Sequence, residues 1–445
     1  PGTVSIGKSL ATGDFNGDGF LDIVVAFDNT VAWIKNIDGT GMNWQEFVIS
    51  SVQNTAWYVV SGDFNNDGFL DVASTCMGIG WPNVAWYKNT DGKGTFSKPI
   101  VVTRNQFQAA SIATGDFNND GSLDIASASY GANEVAWYNN MDGKGNFSKP
   151  IVINSNSTSS YLATSNVAIA DFSNDGNVDL LYSLNIYTST QLYISQIQLY
   201  NNKAGNGNFS KPLVVVSTDG IIATYNLVVG DINGDGTLDF VSSSSTSSAM
   251  SGTTDLAWFN NTDGNGNFSK QPIATQTFLT ASITVGDFNN DGSLDIAATG
   301  INSGQKNLAW YNNTDGKGTF LSVIVETKNI VNNVAVGDFN NDGYLDMASS
   351  SNSSNIAWYQ NSCQKLSCCQ ARLDYPDYKS LCNGIGNETT CDDPNSMTGG
   401  YGKTCEWNCG ECYANANDTK YQQFCYQHNT IDSCGELNST CHWTT

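Results

Sequence analysis

The stretch Asp116-Phe117-Asn118-Asn119-Asp120-Gly121-Ser122-Leu123-Asp124 decides how this chain is read. It places side-chain oxygens at its positions 1, 3, 5 and 9, and a glycine at position 6, where the backbone turns sharply. Hard oxygen donors at this spacing around a glycine turn are what a calcium ion requires, and the carbonyl of position 7 can add another. An EF-hand would carry Glu at position 12. Here that position falls inside an apolar strand, so the expected site is a strand-loop-strand site.

The same phrase, D-x-[NS]-x-D-G-x-x-D, begins seven times, at Asp14, Asp63, Asp116, Asp171, Asp231, Asp287 and Asp338. A period near fifty residues with strand-like filling signals a propeller or a solenoid. In the third copy, the apolar run 109–115 leads into the loop. Strands are expected over Ile125–Ser129, Glu134–Tyr138 and Pro150–Ile153, with a turn at Asp142-Gly143-Lys144-Gly145. Four short strands per copy make a propeller blade, and a ring of seven removes exposed sheet edges. The expected fold is all-β: a seven-bladed β-propeller with four-stranded blades over residues 1–362, then a small disulfide-rich domain over 363–445. The seventh copy stops at Cys363 without a fourth strand. Residues 1–6, with Thr3-Val4-Ser5-Ile6, are expected to supply that outer strand, either in the same chain or by donation to a neighbouring one.

Each copy yields one set of metal ligands. They are Asp14, Asn16, Asp18 and Asp22; Asp63, Asn65, Asp67 and Asp71; Asp116, Asn118, Asp120 and Asp124; Asp171, Ser173, Asp175 and Asp179. The remaining three sets are Asp231, Asn233, Asp235 and Asp239; Asp287, Asn289, Asp291 and Asp295; Asp338, Asn340, Asp342 and Asp346. Ser173 is the poorer donor and marks a weaker fourth site. An Asp-Gly loop can be simply a good turn, but seven copies with every Asp and the Gly intact favour calcium, about one ion per blade. Magnesium, which keeps its waters, fits less well.

The formal charge of −23 suits cation sites and argues against a nucleic-acid partner, which needs a basic surface. No apolar run is long enough to span a membrane. The chain opens on Pro1 rather than Met, which reads as a processed product. Only Cys76 of the 12 cysteines precedes residue 363. That crowding implies disulfides and an oxidising, secreted or cell-surface location. Ten N-x-S/T sequons agree: Asn146, Asn156, Asn208, Asn260, Asn267, Asn312, Asn352, Asn387, Asn417 and Asn438.

The tail repeats itself. Cys369, Cys382 and Cys391 have the spacing of Cys412, Cys425 and Cys434, and Tyr378 and Tyr421 each stand four residues before a cysteine. Two related modules are expected, about 368–407 and 412–443. Cys363, Cys368, Cys409 and Cys76 fall outside the duplication, and one of them is a candidate tether. Zinc at Cys409, Cys412 and His428 is the competing reading, set aside because sequons accompany the cysteines.

Catalytic residues are not legible. The two histidines, His428 and His442, lie in the tail, and the arginines are Arg104 and Arg372. No Ser-His-Asp set can be built in the ring, and the regularly placed carboxylates are already assigned to calcium. Trp33, Trp86, Trp137, Trp258, Trp310 and Trp358 recur at one blade position, with Leu199 in the fourth blade. Packing between blades is the reading favoured for them; stacking on sugars is the alternative. Long inserts at Asn185–Gln196 and Ser243–Thr254 are candidate binding loops.

The phrases GDFNNDGSLDIA (115–126) and VAWYNNMDGKGNF (135–147) resemble FG-GAP or VCBS repeats, the blades of integrin-α-like propellers. The resemblance covers residues 1–362. It implies a seven-bladed ring with calcium between the first two strands of each blade, and it leaves function open across adhesion, glycan binding and polysaccharide-degrading enzymes. The reading adopted is a non-enzymatic extracellular calcium-binding glycoprotein, a structural or adhesive scaffold able to polymerise into surface fibres. Its partners would be other copies of itself or matrix and cell-surface glycoproteins and glycans. A multivalent lectin is the alternative, and a polysaccharide-acting enzyme a third reading.

Overall fold

The computed structural model describes residues 7–361, apart from 53–54, 79–80, 130, 132–133, 156–161, 188–192, 220–223, 246–253, 277, 303–304, 327–330 and 352–355. It then describes 404–408, 411–415 and 443–444. Every element is a strand, and no helix long and apolar enough to cross a membrane occurs among the described residues.

The strands form seven four-stranded antiparallel sheets, each built in simple chain order, plus one two-stranded hairpin. Blade three shows why. Its first strand, Ala109–Gly115, is buried along most of its length, and the second, Asp124–Ser129, is buried throughout. The third, Glu134–Tyr138, is nearly so, whereas the fourth, Ile151–Ser155, is largely exposed. Burial thus falls from the axis of the ring to its rim. The first and third strands match the sequence expectation, the second begins one residue earlier, and the fourth shifts by one or two residues. First strands of successive blades lie side by side, so they line the ring's interior.

The core is divided into seven clusters, one at each junction between blades. Phe15, Val24 and Trp33 of blade one pack on Val59, Val72 and Tyr87 of blade two. The same arrangement closes the circle, where Leu10, Ile23 and Val25 of blade one meet Phe339 and Ala348 of blade seven. Burying each such large side chain contributes about 2–3 kcal/mol, so the last junction holds the ring shut by the same packing as the other six.

The recurrent tryptophans sit in these junctions. Trp33, Trp86, Trp137, Trp258 and Trp310 are at most 4% exposed. The packing reading is therefore correct for them. Each indole from Trp33, Trp86, Trp137 and Trp258 fills the space beside a hairpin glycine of the next blade, as Trp86 does at Gly145. Trp358 of blade seven lies against Gly41 of blade one, and Leu199 takes the same place at Gly266.

Because strands alternate in direction, the loops joining first to second and third to fourth strands fall on one face. The acidic loops share that face with the Asp-Gly hairpins. The second and third strands of blades four and five extend toward the opposite face, where their pairing continues to Tyr187↔Tyr193 and Ser245↔Thr254.

In blade seven the place beside the third strand, Ile356–Asn361, is taken by Trp443–Thr444, with Asn361 opposite Trp443. In other blades the same register position holds Trp44, Phe268 and Phe320, opposite Asn36, Asn261 and Asn313. Residues 1–6, expected in this role, lie outside the described residues. So do both cysteine modules, apart from a hairpin of Thr404–Asn408 with Glu411–Asn415 and the strand Trp443–Thr444. Cys76, a candidate tether, is fully buried in the second strand of blade two.

Candidate metal sites in seven equivalent loops

The loop at Asp116 shows how the sequence builds the site. Gly121 N–H donates to Asp116 Oδ2 at 2.8 Å, and Asp120 N–H donates to Oδ1 at 3.1 Å. Asn118 Oδ1 accepts from Asp120 N–H at 3.2 Å, and Asp120 Oδ1 accepts from Ser122 N–H at 2.9 Å. The side chains of positions 1, 3 and 5 are thus drawn toward one concavity by the loop's own backbone. The contact from position 6 to position 1 recurs in all seven loops at 2.7–2.9 Å.

Burial is graded identically in every loop: positions 1 and 3 are half-buried, position 5 is exposed and position 9 is fully buried. The position-9 carboxylate is the anchor. Its Oδ2 accepts the position-2 N–H, as from Phe117 to Asp124 at 3.0 Å, and its Oδ1 accepts the N–H of an asparagine at or just past the end of the third strand, Asn140, at 2.8 Å. Burial pushes Asp71, Asp124, Asp295 and Asp346 up to about 7, and Asp22 and Asp239 up to about 6. Neighbouring carboxylates of the same loop push further in that direction, Asp67 and Asp63 on Asp71 for example. Asp179 rises for the same reason, and Ser173 meets it through its backbone N–H at 3.0 Å.

These loops are therefore anionic pockets that repel themselves, which a cation would relieve. The donor set fits a hard ion: carboxylates, an amide or hydroxyl oxygen and backbone carbonyls, with no sulfur or imidazole. Asn65 Oδ1 in loop two is a buried oxygen with no hydrogen-bond partner. Among the described residues no three acidic, histidine or cysteine side chains converge closely enough to hold an ion by themselves. A bound ion would thus depend on the amide and carbonyl oxygens as well.

Two residue sets escaped the sequence reading. Position 4 is held in the left-handed region in every loop: Gly17, Asn66, Asn119, Asn174, Gly234, Asn290 and Asn341, with φ from 52° to 71°. Asn and Gly are the residues that take this conformation cheaply, and the restriction of position 4 to these two types was the available signal. The second set is Asn36, Asn89, Asn140, Asn202, Asn261, Asn313 and Asn361. Each Nδ2 donates to the position-2 carbonyl of the preceding blade at 2.6–2.8 Å, and Asn36 reaches Phe339 to close the ring. Every acidic loop is thereby bolted to the next blade.

Of the sequons, Asn146, Asn208 and Asn267 are exposed at one hairpin position on blades three, four and five. Asn260 is half-buried, and Asn312 is 4% exposed and accepts a hydrogen bond from Asn289. Asn156, Asn352, Asn387, Asn417 and Asn438 lie outside the described residues.

The FG-GAP-like repeat model matches residues 14–74, 77–127, 116–182, 246–298 and 287–349, more than half of the 445 residues. The chain belongs to the FG-GAP-like repeat family. This membership accounts for the periodic acidic loops and the blade architecture. Among solved structures, the V. cholerae biofilm matrix protein Bap1 aligns at 12% identity and a TM-score of 0.39, over 78% of this chain and 84% of that one. No curated protein matches the chain in sequence.

Proposed function

We propose that this FG-GAP-like propeller is a secreted, calcium-binding glycoprotein without catalytic activity, acting as an extracellular structural or adhesive scaffold. The observation that carries this reading is the set of seven loops with one burial gradient, each tied to the next blade by a buried asparagine. Calcium, when bound, supplies the positive charge these carboxylates lack. Asp116, Asn118, Asp120 and Asp124 would hold it in loop three, with the corresponding residues in the other six. Because the same loops carry the junctions between blades, ion binding would stiffen the whole ring by mass action on the native state. The exposed sequons and the cysteine-rich segment support an extracellular setting. Partners would be further copies of the chain or glycoproteins and glycans of a matrix or cell surface.

Electron microscopy of the native material, with and without a calcium chelator, tests the scaffold role. Fibres that soften or disperse on chelation support it. Dispersed rings unaffected by chelation argue against it. The lectin reading loses its recurrent tryptophans to the core, but Trp81 and Phe107 are 40% and 39% exposed on the face opposite the acidic loops. A glycan array decides whether they bind sugar.

A further inference from the structure

The seven loops are not equal, because blades one and two carry their own cation. The residue just before the bolting asparagine is Lys35 in blade one and Lys88 in blade two. In the other blades it is Asn139, Asn201, Asn260, Asn312 and Gln360. Lys35 Nζ lies 3.1 Å from Asp18 Oδ2, and Lys88 Nζ lies 3.0 Å from Asp67 Oδ2, so each ammonium sits on the position-5 carboxylate of its own loop. In loops three, five, six and seven that oxygen instead accepts from the position-3 amide, as in Asn118 Nδ2 to Asp120 Oδ2 at 2.8 Å. The lysines have taken over that contact. Where lysine is absent, the same blade position offers an uncharged group. Asn139, Asn201 and Asn260 each hold a buried Oδ1 with no hydrogen-bond partner, and Asn312 Oδ1 meets position 3 of its loop, Asn289, at 3.2 Å.

We infer that Lys35 and Lys88 act as built-in counterions that weaken calcium binding in loops one and two relative to the lysine-free loops three to seven, with loop four, where Ser173 replaces asparagine, the weakest of those five. This rests on the calcium reading above. An ammonium about 3 Å from a ligand oxygen repels a dication entering the same concavity. To admit the ion, the lysine has to swing out and give up its ion pair. Both lysines are partly exposed, so the swing is possible and the effect is one of affinity rather than exclusion. Blades one and two would then stay folded at calcium levels that leave their loops empty.

The test is calcium titration of the chelated full-length chain by calorimetry, with metal content measured in parallel. The expected result is two sites roughly ten- to a hundredfold weaker than the tight sites of loops three, five, six and seven, with the Ser173 loop a separate weaker site that the lysine substitutions leave unmoved. Replacing Lys35→Asn and Lys88→Asn together, which installs the residue of blades three to six, is expected to move the two weak sites into the tight class. Seven sites of one affinity, or the two lysine-bearing sites unmoved by the double substitution, overturns the inference and leaves the calcium reading standing. A chain that takes up no calcium overturns the calcium reading itself. Circular dichroism of the double variant at saturating calcium confirms that it is folded before either conclusion is drawn.

Discussion

Substituting Asn140→Ala removes one bolt between blades without touching a carboxylate. Asn140 is fully buried. Its Nδ2 donates to Phe64 O of blade two at 2.8 Å and to Leu123 O at 3.1 Å, and its Oδ1 accepts from Gly145 N–H at 2.9 Å. Alanine strips this partner from all three groups, two of them buried and the third partly so. Leaving a buried polar group unpaired costs about 1–3 kcal/mol, so the loss should come to roughly 3–5 kcal/mol. In a ring of this size that corresponds to a melting shift of about 5 °C. The assay is calorimetric unfolding at saturating calcium, with Lys144→Ala, an exposed hairpin residue, as the control. Asn36→Ala should cost less, because Asn36 Oδ1 has no hydrogen-bond partner to lose. A shift for Asn140→Ala no larger than that of Lys144→Ala would refute the claim that these asparagines bolt the blades together.

Two glycines with the same backbone should respond differently. Gly145→Ala, at φ 82° with its new Cβ driven into the Trp86 ring, should cost more than about 3 kcal/mol in denaturant unfolding; Gly121→Ala, at φ 83° with open space around it, should cost only about 1–2 kcal/mol of backbone strain. The pH response should reverse with calcium. The position-9 carboxyls stand above their unfolded value, Asp71 at about 7 and Asp239 at about 6, so the cation-free folded chain holds protons that the unfolded chain releases. Cation-free stability should therefore decline as the pH rises from about 4 to about 7, whereas the calcium-loaded chain should lose stability as protons displace the ion; melting curves from pH 4 to 8 in both states check the crossing. Glycan occupancy should follow exposure: Asn146→Gln, Asn208→Gln and Asn267→Gln should each lower the glycoprotein mass, and Asn312→Gln, at a buried site, should not.

The ring was legible because its loops need special chemistry. A nine-residue turn that gathers three carboxylates around glycine leaves few sequence solutions, so its seven copies announce the blades. The tryptophans were legible as packing because they recur in a strand that must be covered on both faces. The asparagine bolts were not. Asn140 stands among other turn-forming residues, and its partner, Phe64 O, is a backbone carbonyl of another blade, which no side-chain pattern records. The lysine difference was hidden for a similar reason: Lys35 and Lys88 look like ordinary exposed strand residues until the fold sets them 3.1 and 3.0 Å from their loop's position-5 carboxylate. Nor does the sequence of blade seven reveal that its outer position is met by Trp443–Thr444, because some eighty residues separate that strand from its neighbour.

The claim that calcium loads and stiffens this ring is tested most directly by measuring metal content and melting temperature on one preparation, before and after chelation. The account predicts at least five calcium ions per chain, and a melting temperature that falls by more than about 10 °C on chelation and returns when calcium is restored. A chain that holds no calcium and melts at the same temperature in chelator would contradict it.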